Sequence, residues 1–596
     1  MARSLPILSA AAALVAACTV ARDRPDLVGQ DVRITIVHTA DIHSRLFPYT
    51  LTPNRFDEGY GLLPENGPFG GIARIATLVK EQRERAARSL WLDSGDVFQG
   101  APVFNLFRGE VEVRALSRAG LDAAVLGNHE FDLGSRNLYE QIDQWATYRS
   151  LAANYVFEEP NDPMEPWLRD VVQPYAIFDL DGVLVGVIGM GNWSSMTGIF
   201  EGGNSLGIRP IEDGQVVASY ARLLRPVVDV VVVLSHLGLE EDEGLSAADI
   251  ELDRNELLPL ADVDVILGGH LHIVLNPPKV IRDQDGNEAI LVHSGAFAKY
   301  VGRLDLVVRV GENNRDPADR SRITAFSYET IPVDSTVPDD VELTDLLQPY
   351  WQQLNAKIDL DGVFAYVDAP GGAKIVRNDP TGGDSQLGNL VARAMQTRSG
   401  VEAEFALTNS LGIRADFEPG ALTVEQMFNV FPFENSITVM YLSGAEVKEM
   451  LDFNARKSAS RGCRSQAQVA GIWHDMVCRS PDCPNGCAKN IFLGENCRNG
   501  NPDGPIDETK CAPLELGALY RVAVNDFIAR GGSGFDVLER NTAKIDTGIS
   551  LRDALTDFLR RQPACTDPAV IAEHGAIACI DETVEPHDGR IRPVFE

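Results

Sequence analysis

The hydrophobic pattern divides the chain into two kinds of territory. From Asp31 to about Val310, short apolar runs alternate with stretches that read as helices. The runs are Val32–His38, Ser89–Leu92, Ala123–Leu126, Val183–Ile188, Val230–Leu234 and Val263–Leu267. Several are unbroken Val/Ile/Leu rather than alternating apolar and polar, as expected of strands buried on both faces. Between the first two, Gly70–Arg88 is rich in helix formers and sets Ile72, Ile75, Leu78 and Val79 on one face. This alternation predicts an α/β layered domain with its sheets covered by helices. Asp339–Ile358 then carries Leu343, Leu346, Leu347, Trp351 and Leu354 at helical spacing, a connector helix. A second α/β segment begins near Asp361, and a Gly/Pro/Asn/Asp-rich stretch from Cys463 to Cys511 reads as an insertion within it. No whole-domain repeat is present.

Length and composition sharpen this picture. A chain of 596 residues is too long for one core and predicts two large domains. With 44% hydrophobic and 23% charged residues it has the make-up of an ordinary globular protein. A formal charge of −33 argues against a nucleic-acid polymer or an anionic membrane surface as partner. It leaves room for a small anionic substrate, because bound divalent metals reverse the field locally.

The first residues read as a targeting segment. Arg3 precedes an apolar run, Leu5–Ala17, too short to span a bilayer as a mature helix. It ends in Leu14-Val15-Ala16-Ala17-Cys18, similar to a bacterial lipobox, in which the Cys becomes the lipidated first residue. We therefore expect a signal peptide over 1–18, lipidation at Cys18, a tether over 19–30, and export to the outer membrane or periplasm. The tether would be the sole membrane link. Thr19 after the Cys fits outer-membrane sorting by analogy with Gram-negative lipoproteins. An ordinary cleaved signal with an incidental Cys is the alternative. The other cysteines, Cys463, Cys478, Cys483, Cys487, Cys497, Cys511, Cys565 and Cys579, all fall in the last quarter of the chain. An even set in an exported protein predicts disulfides, in a pairing that sequence leaves open. The competing reading is a zinc site at Cys483-Pro-Asn-Gly-Cys487.

Five strand ends carry the candidate chemistry: Asp41-Ile42-His43, Gly95-Asp96, Gly127-Asn128-His129-Glu130-Phe131-Asp132, Ser235-His236 and Gly268-Gly269-His270-Leu271-His272. A strand fixes the Cα while the loop beyond it stays open, so functional groups collect there. In an extended chain Asp41 and His43 would face one way, as would His270 and His272. Asp96 offers two oxygens that could bridge two cations. Mixed His/Asp/Asn ligation suits zinc, manganese, iron or cobalt. The glycines at 95, 127, 268 and 269 are expected to let the backbone turn beside the ions. His38 and His293 read as structural histidines.

In this order the segments resemble the calcineurin-like metallophosphoesterases. Gly-Asn-His-Glu-Phe-Asp narrows the resemblance to the 5′-nucleotidase family, which includes UDP-sugar hydrolases. The resemblance implies a four-layer α/β/β/α sandwich over 31–335, a helical linker over 336–360, and a C-terminal α/β substrate-binding domain over 361–596 with its Cys-rich insertion at about 460–512. It implies two divalent metals, one held by Asp41, His43, Asp96 and His272, the other by Asp96, Asn128, His236 and His270. His129 and Asp132 match the family's catalytic dyad. Two metals in such a site activate water for in-line attack on phosphorus.

The resemblance continues through Asp384-Ser-Gln-Leu-Gly-Asn389, Asn409-Ser-Leu-Gly-Ile-Arg414, Phe431-Pro-Phe433-Glu-Asn435 and Asn525–Phe535. It implies that Phe433 and Phe527 sandwich a nucleobase, while Asn409 and Arg414 lie near the base and the phosphate end. Departures fall on these recognition loops. Ser533 stands where the family has an Asp that bonds the ribose, Ser410 and Leu411 replace glycines, and Thr381 replaces an Arg for which Arg377 is a possible substitute. The expected function is hydrolysis of nucleotide phosphomonoesters or pyrophosphates. A cyclic-nucleotide phosphodiesterase or an esterase for non-nucleotide substrates is the second reading, and a ligand-binding or adhesive lipoprotein with a structural metal site the third. Oligomeric state is left open.

Overall fold

The computed structural model describes residues 27–51, 53, 55–157, 167–192, 207–211, 213–238, 262–282, 288–369 and 372–595. The leader and Cys18 lie outside the described residues. In the N-terminal half, two sheets lie face to face. The first has seven strands in the order Arg322–Pro332, Tyr300–Arg309, Asp31–Thr39, Ser89–Asp93, Ala123–Val125, Arg149–Leu151 and Val172–Gln173. The second has six: Val274–Arg282, Glu288–Ser294, Val265–Gly268, Val230–Ser235, Val183–Met190 and Tyr175–Leu180. Both sheets are parallel through the middle and antiparallel at an edge.

The unbroken apolar runs have the explanation the pattern predicts. Ile34, Ile36, Leu90, Leu92, Val185, Val187, Val232, Leu234 and Val265 meet between the sheets. Residues of opposite parity, such as Val37, Trp91, Val231 and Val233, face outward into helix-covered layers. Helices Ile72–Glu84, Glu110–Ala119 and Gly134–Trp145 cover the first sheet, and Asp213–Leu224 the second. The result is α/β/β/α. The apolar runs approximate the strands, with one shift: Val263–Leu267 begins as a strand only at Val265, because Asp262 takes a left-handed φ of 87° just before it.

The connector helix runs Val341–Ile358. Asp340 caps it by accepting from Leu343 N, and Leu343, Leu347 and Leu354 are buried against the first domain's helical layer. Beyond it, a five-stranded sheet runs Ala467–Ala470, Phe405–Asn409, Leu519–Asn525, Ser436–Ser443 and Lys544–Ser550. Helices Gln386–Thr397 and Leu551–Arg560 pack on one face of it, and helix Gly444–Ala459 on the other.

The Cys-rich stretch is a four-stranded sheet, ordered Ala512–Pro513, Cys487–Leu493, Ile472–Arg479 and Ile591–Phe595. Disulfides Cys463–Cys478, Cys483–Cys487 and Cys497–Cys511 staple it, and Cys565–Cys579 lies nearer the carboxyl end. Cys483 and Cys487 are thus bonded to each other, which removes the zinc reading. The four disulfides fit an extracytoplasmic protein.

Candidate active site

The five strand ends converge at one edge of the two-sheet stack. Parallel pairing of Asp31–Thr39 with Ser89–Asp93, and of that strand with Ala123–Val125, brings the 41–43, 95–96 and 127–132 loops side by side. Pairing of Val230–Ser235 with Val265–Gly268 does the same for His236 and His270 from the other sheet. Two groups form there: Asp41, His43 and His272, and Asp96, His236 and His270, the ligand atoms of each lying within 4.8 Å of one another. Asp96 belongs to the second group yet faces the first, with Oδ2 2.9 Å from His236 Nε2 and 4.0 Å from His43 Nε2.

The donor set suits divalent metal. His43 Nδ1 donates to Gln99 O at 2.7 Å, which leaves the lone pair on Nε2, and that atom lies 2.9 Å from His272 Nε2. His236 Nδ1 donates to Ser94 O at 2.5 Å, and its Nε2 faces the Asp96 carboxylate at 2.9 Å. Burial lowers the pKa of this imidazole, but the Asp96 carboxylate outweighs it and pushes the value up to about 10, so a proton holds the place that a cation would take between them. Backbone carbonyls that fix an imidazole's tautomer in this way are the usual outer support of a metal ligand. Burial holds the His43 and His270 imidazoles neutral, pushing both pKa values down to about 3, the form that binds metal. Asn128 is buried and its Oδ1 has no hydrogen-bond partner among the described residues.

Two local expectations need correction. Asp41, His43, His270 and His272 are not extended: their φ angles are 50°, 51°, 76° and 59°. Each pair converges because its loop has left the strand and turned, not because alternate residues share a face. The glycines also have mixed reasons. Gly95 takes a φ of 84°, a turn that favours glycine. Gly127, Gly268 and Gly269 are glycine because of close packing: a Cβ there would press on the Asp96 carboxylate, the His293 ring and Ser94 O respectively.

His129 sits above the two groups. Its Nδ1 meets Asp132 Oδ2 at 2.9 Å, and its backbone N–H donates to Asp96 Oδ1 at 2.8 Å. Burial opposes charge on this imidazole, but Asp132 and Asp96 outweigh it and push the pKa up to about 9. His38 lies beneath, where its Nε2 donates to Ser94 Oγ at 2.8 Å and Ser94 Oγ donates to Leu267 O, tying the two sheets together. Its Nδ1 has no hydrogen-bond partner among the described residues, so His38 is only half satisfied there. His293 packs under Gly268.

From the C-terminal half, Phe433 stacks on His129 with centroids 5.7 Å apart, and the Arg414 guanidinium lies 5.7 Å from the Phe433 ring. Gln99 and Asn105 donate to Pro432 O at 3.1 and 3.4 Å, and Arg45 bonds Asn429. A cleft of about 250 Å³ between the halves is lined by His43, Arg45, Phe297, Arg377, Arg414 and Phe433, among others. Arg377 enters it with its guanidinium bound to Ile413 O at 2.9 Å, while Thr381 sits in an exposed turn on Asp379.

The remaining recognition residues are not gathered there. Asn409 is buried and its Oδ1 accepts from Asn525 Nδ2 at 2.6 Å. Phe527 packs on Gly532 beside the second core of that half. Ser533 holds a φ of 57°, and its carbonyl accepts from Lys457 Nζ at 2.7 Å. Ser410 bonds Ser465 O, and Leu411 is exposed.

Sequence reading missed Phe297, whose ring stacks on His43 and meets His272 edge-on, with its N–H on Asp41 O at 2.7 Å. Its one signal was position, just past the strand Glu288–Ser294. Arg45 and Gln99 were missed as well, since what they touch comes from some 330 to 380 residues away.

Comparison with known proteins agrees with this geometry. The calcineurin-like phosphoesterase family matches residues 34–274, and the 5′-nucleotidase C-terminal domain matches residues 363–540. A 5′-nucleotidase of Vibrio parahaemolyticus is 27% identical over 567 residues, covering 88% of this chain and 89% of its own. The 5′-nucleotidase of Rattus norvegicus is 26% identical, with 89% of this chain and 88% of its own covered. The crystal structure of a 5′-nucleotidase precursor from Thermus thermophilus superposes with a TM-score of 0.72 at 28% identity, over 92% of this chain and 99% of that one. With both domain families in order and two metal-competent clusters where their chemistry is needed, the chain belongs to the 5′-nucleotidase family of calcineurin-like metallophosphoesterases and is a metal-dependent hydrolase of phosphoester bonds.

Proposed function

We propose that the chain hydrolyses nucleotide phosphomonoesters or pyrophosphates outside the cytoplasm, at the site centred on Asp96. The observation that carries this reading is the pairing of two metal-competent clusters through one carboxylate, directly beneath a His129–Asp132 pair. The residues that would hold the ions are Asp41, His43, Asp96 and His272 on one side, and Asp96, Asn128, His236 and His270 on the other. Ions bound there would supply Lewis acidity and neutralise charge gathering on a phosphoryl group. Zinc, manganese, cobalt and iron all suit these donors.

The chain's own groups do the rest. Asp132 holds Nδ1 of His129, so Nε2 presents a proton to the oxygen on which negative charge develops. Arg414 has no hydrogen-bond partner on its guanidinium among the described residues and borders the same cleft, so its planar fork is free for phosphate oxygens. Phe433 offers an aromatic face to a base, a contact worth about 1–3 kcal/mol. Phe527, Asn409 and Ser533 are proposed as further substrate contacts on the strength of the motif resemblance. The lipobox-like leader supports a lipid tether at Cys18 and the outer membrane or periplasm as location. Domain limits at 31–335, 336–360 and 361–596 complete the reading.

The test is phosphate release from AMP, UDP-glucose, cyclic nucleotides and aryl phosphates with added Mn²⁺, Zn²⁺ or Co²⁺. Hydrolysis of AMP or UDP-glucose is the expected result. Turnover of cyclic nucleotides or aryl phosphates alone would shift the reading to a diesterase or a non-nucleotide esterase, and no turnover of any of them would overturn it. Asp96→Ala should abolish both metal binding and hydrolysis; retained activity with normal metal content would remove Asp96 from the centre of the site.

A further inference from the structure

We infer that Glu130 is a positioning residue, a single buried carboxylate that closes the two metal-bearing loops onto each other and sets their affinity for metal. The inference rests on the proposed roles of Asp96 and Asn128 as ligands. Glu130 follows His129 and is 5% exposed, its carboxylate bonded into the loops that carry Asp96 and Asn128. Its Oε2 accepts from Asp96 N at 3.0 Å and Gly127 N at 2.6 Å. Its Oε1 accepts from Val97 N at 2.7 Å and Phe98 N at 3.2 Å.

Four backbone donors on one carboxylate answer a specific local need. After Asp93 and Val125 the chains leave their strands, and ladder bonding ends while burial continues. N–H groups so placed must find partners or remain desolvated. The loops are too close for side chains to intervene. A Cβ at Gly95 would lie 2.7 Å from Gly127 N, and one at Gly127 would overlap the Asp96 carboxylate. An acceptor reaching in from one turn further along fits, and Glu130 supplies it.

The consequences reach ligands on both sides. Asp96 is the carboxylate shared by the two clusters, and its own amide is one of the four donors. Asn128 follows Gly127, another donor. Phe98, a third donor, precedes Gln99, whose carbonyl fixes the His43 tautomer. Only a carboxylate can accept at both oxygens. A glutamine retains one acceptor and turns an NH₂ group toward two N–H donors.

The experiment uses the full chain, Mn²⁺ as the probe, and Glu130→Gln. Calorimetry on metal-stripped protein should show Mn²⁺ binding weakened about 10- to 100-fold, the range for loss of an outer support. Activity should recover to within a few-fold of wild type at saturating Mn²⁺, with substrate KM unchanged. Unchanged Mn²⁺ affinity would overturn the inference, as would a kcat loss above about 10³-fold with metal saturated, since Glu130 would then act in the chemistry.

Amide hydrogen exchange on the wild-type chain covers the case in which the variant does not fold. The amides of Asp96, Val97, Phe98 and Gly127 should be protected in metal-stripped protein despite lying in loops. Fast exchange at these four would overturn the inference. If wild-type protein bound no Mn²⁺, the reading of the ligands would fall, while the exchange pattern would still decide whether Glu130 clamps the loops.

Discussion

His129 and Asp132 are the residues from which a rate effect follows most directly. Their contact is short and partly buried, and no other described side chain is placed to hold that imidazole nitrogen. His129→Ala is expected to lower kcat about 10²- to 10⁴-fold, the range for loss of a positioned proton donor, with metal content unchanged. Asp132→Asn should have a smaller effect, because the imidazole stays in place while one of the two carboxylates that keep it protonated is lost. Steady-state kinetics with metal analysis checks both, and a drop in metal content in His129→Ala would assign it a ligand role instead. At this scale the sequence was legible where a motif names a residue that the structure draws into a cluster, as with Asp96 and His270. It was not legible where function comes from contacts. Nothing in a string of letters shows that Glu130 meets four backbone amides or that Phe297 faces two imidazoles. Asp41 and His43 show the same limit in another form: their types were readable, their left-handed backbone was not, because the turn is imposed by the neighbouring loop that accepts His43 N–H at Asp96 O.

Among elements, the Cys-rich sheet and the segment around His587 carry the sharpest expectations. Cys497–Cys511 joins positions 14 apart in sequence and packs against buried Trp473. Replacing both cysteines by serine should lower stability by about 2–3 kcal/mol, seen as an earlier unfolding transition for the C-terminal half. His587 offers a pH test. Its hydrogen bond to Asp384 raises its pKa to about 9 against the opposing effect of burial, and its Nδ1 also lies 2.8 Å from Asp384 O. A folded-state value above the unfolded 6.5 means stabilisation that is complete below about pH 6.5 and lost as pH rises through about 9. His587 is partly solvated, so the contribution is on the order of 1 kcal/mol. The stability difference between wild type and His587→Gln should shrink between pH 6.5 and 9; a difference constant over that window would exclude the contact as the cause. Strand-like runs of the first half were readable because burial on both faces leaves an unbroken apolar signature. Sheet order was not, since Tyr300–Arg309 pairs with Asp31–Thr39 across most of the domain.

For the whole molecule, the two halves meet through few polar contacts among the described residues, yet these lie at the chemistry. Gln99 and Asn105 reach Pro432, Arg45 reaches Asn429, and Phe433 covers His129. Metal and substrate therefore act on one assembly. Chelation should lower the melting temperature of the N-terminal half, by the equivalent of about 2.7 kcal/mol if free metal had stood at a hundred times its dissociation constant. Differential scanning calorimetry with and without chelator measures this, and an unmoved transition would show that the clusters hold no ion in solution. The two-domain plan was legible from length and from the connector helix. The contact between halves was not, because an interface of a few residues leaves no periodic trace.

The sheet that joins Ile472–Arg479 to Ile591–Phe595 has a further consequence, one of timing. Asp475 is held by Arg592 at 2.8 Å and by Arg498 at 2.7 Å, while the Asp384 carboxylate accepts from Ile591 N at 3.3 Å. Synthesis delivers residues 588–595 more than a hundred residues after the strand they complete. Until they arrive, the insertion lacks one of its four strands and a buried Asp lacks half its counter-charge. The insertion therefore closes only after both segments have been made. Cysteines oxidised before that strand docks would be paired in a sheet not yet closed.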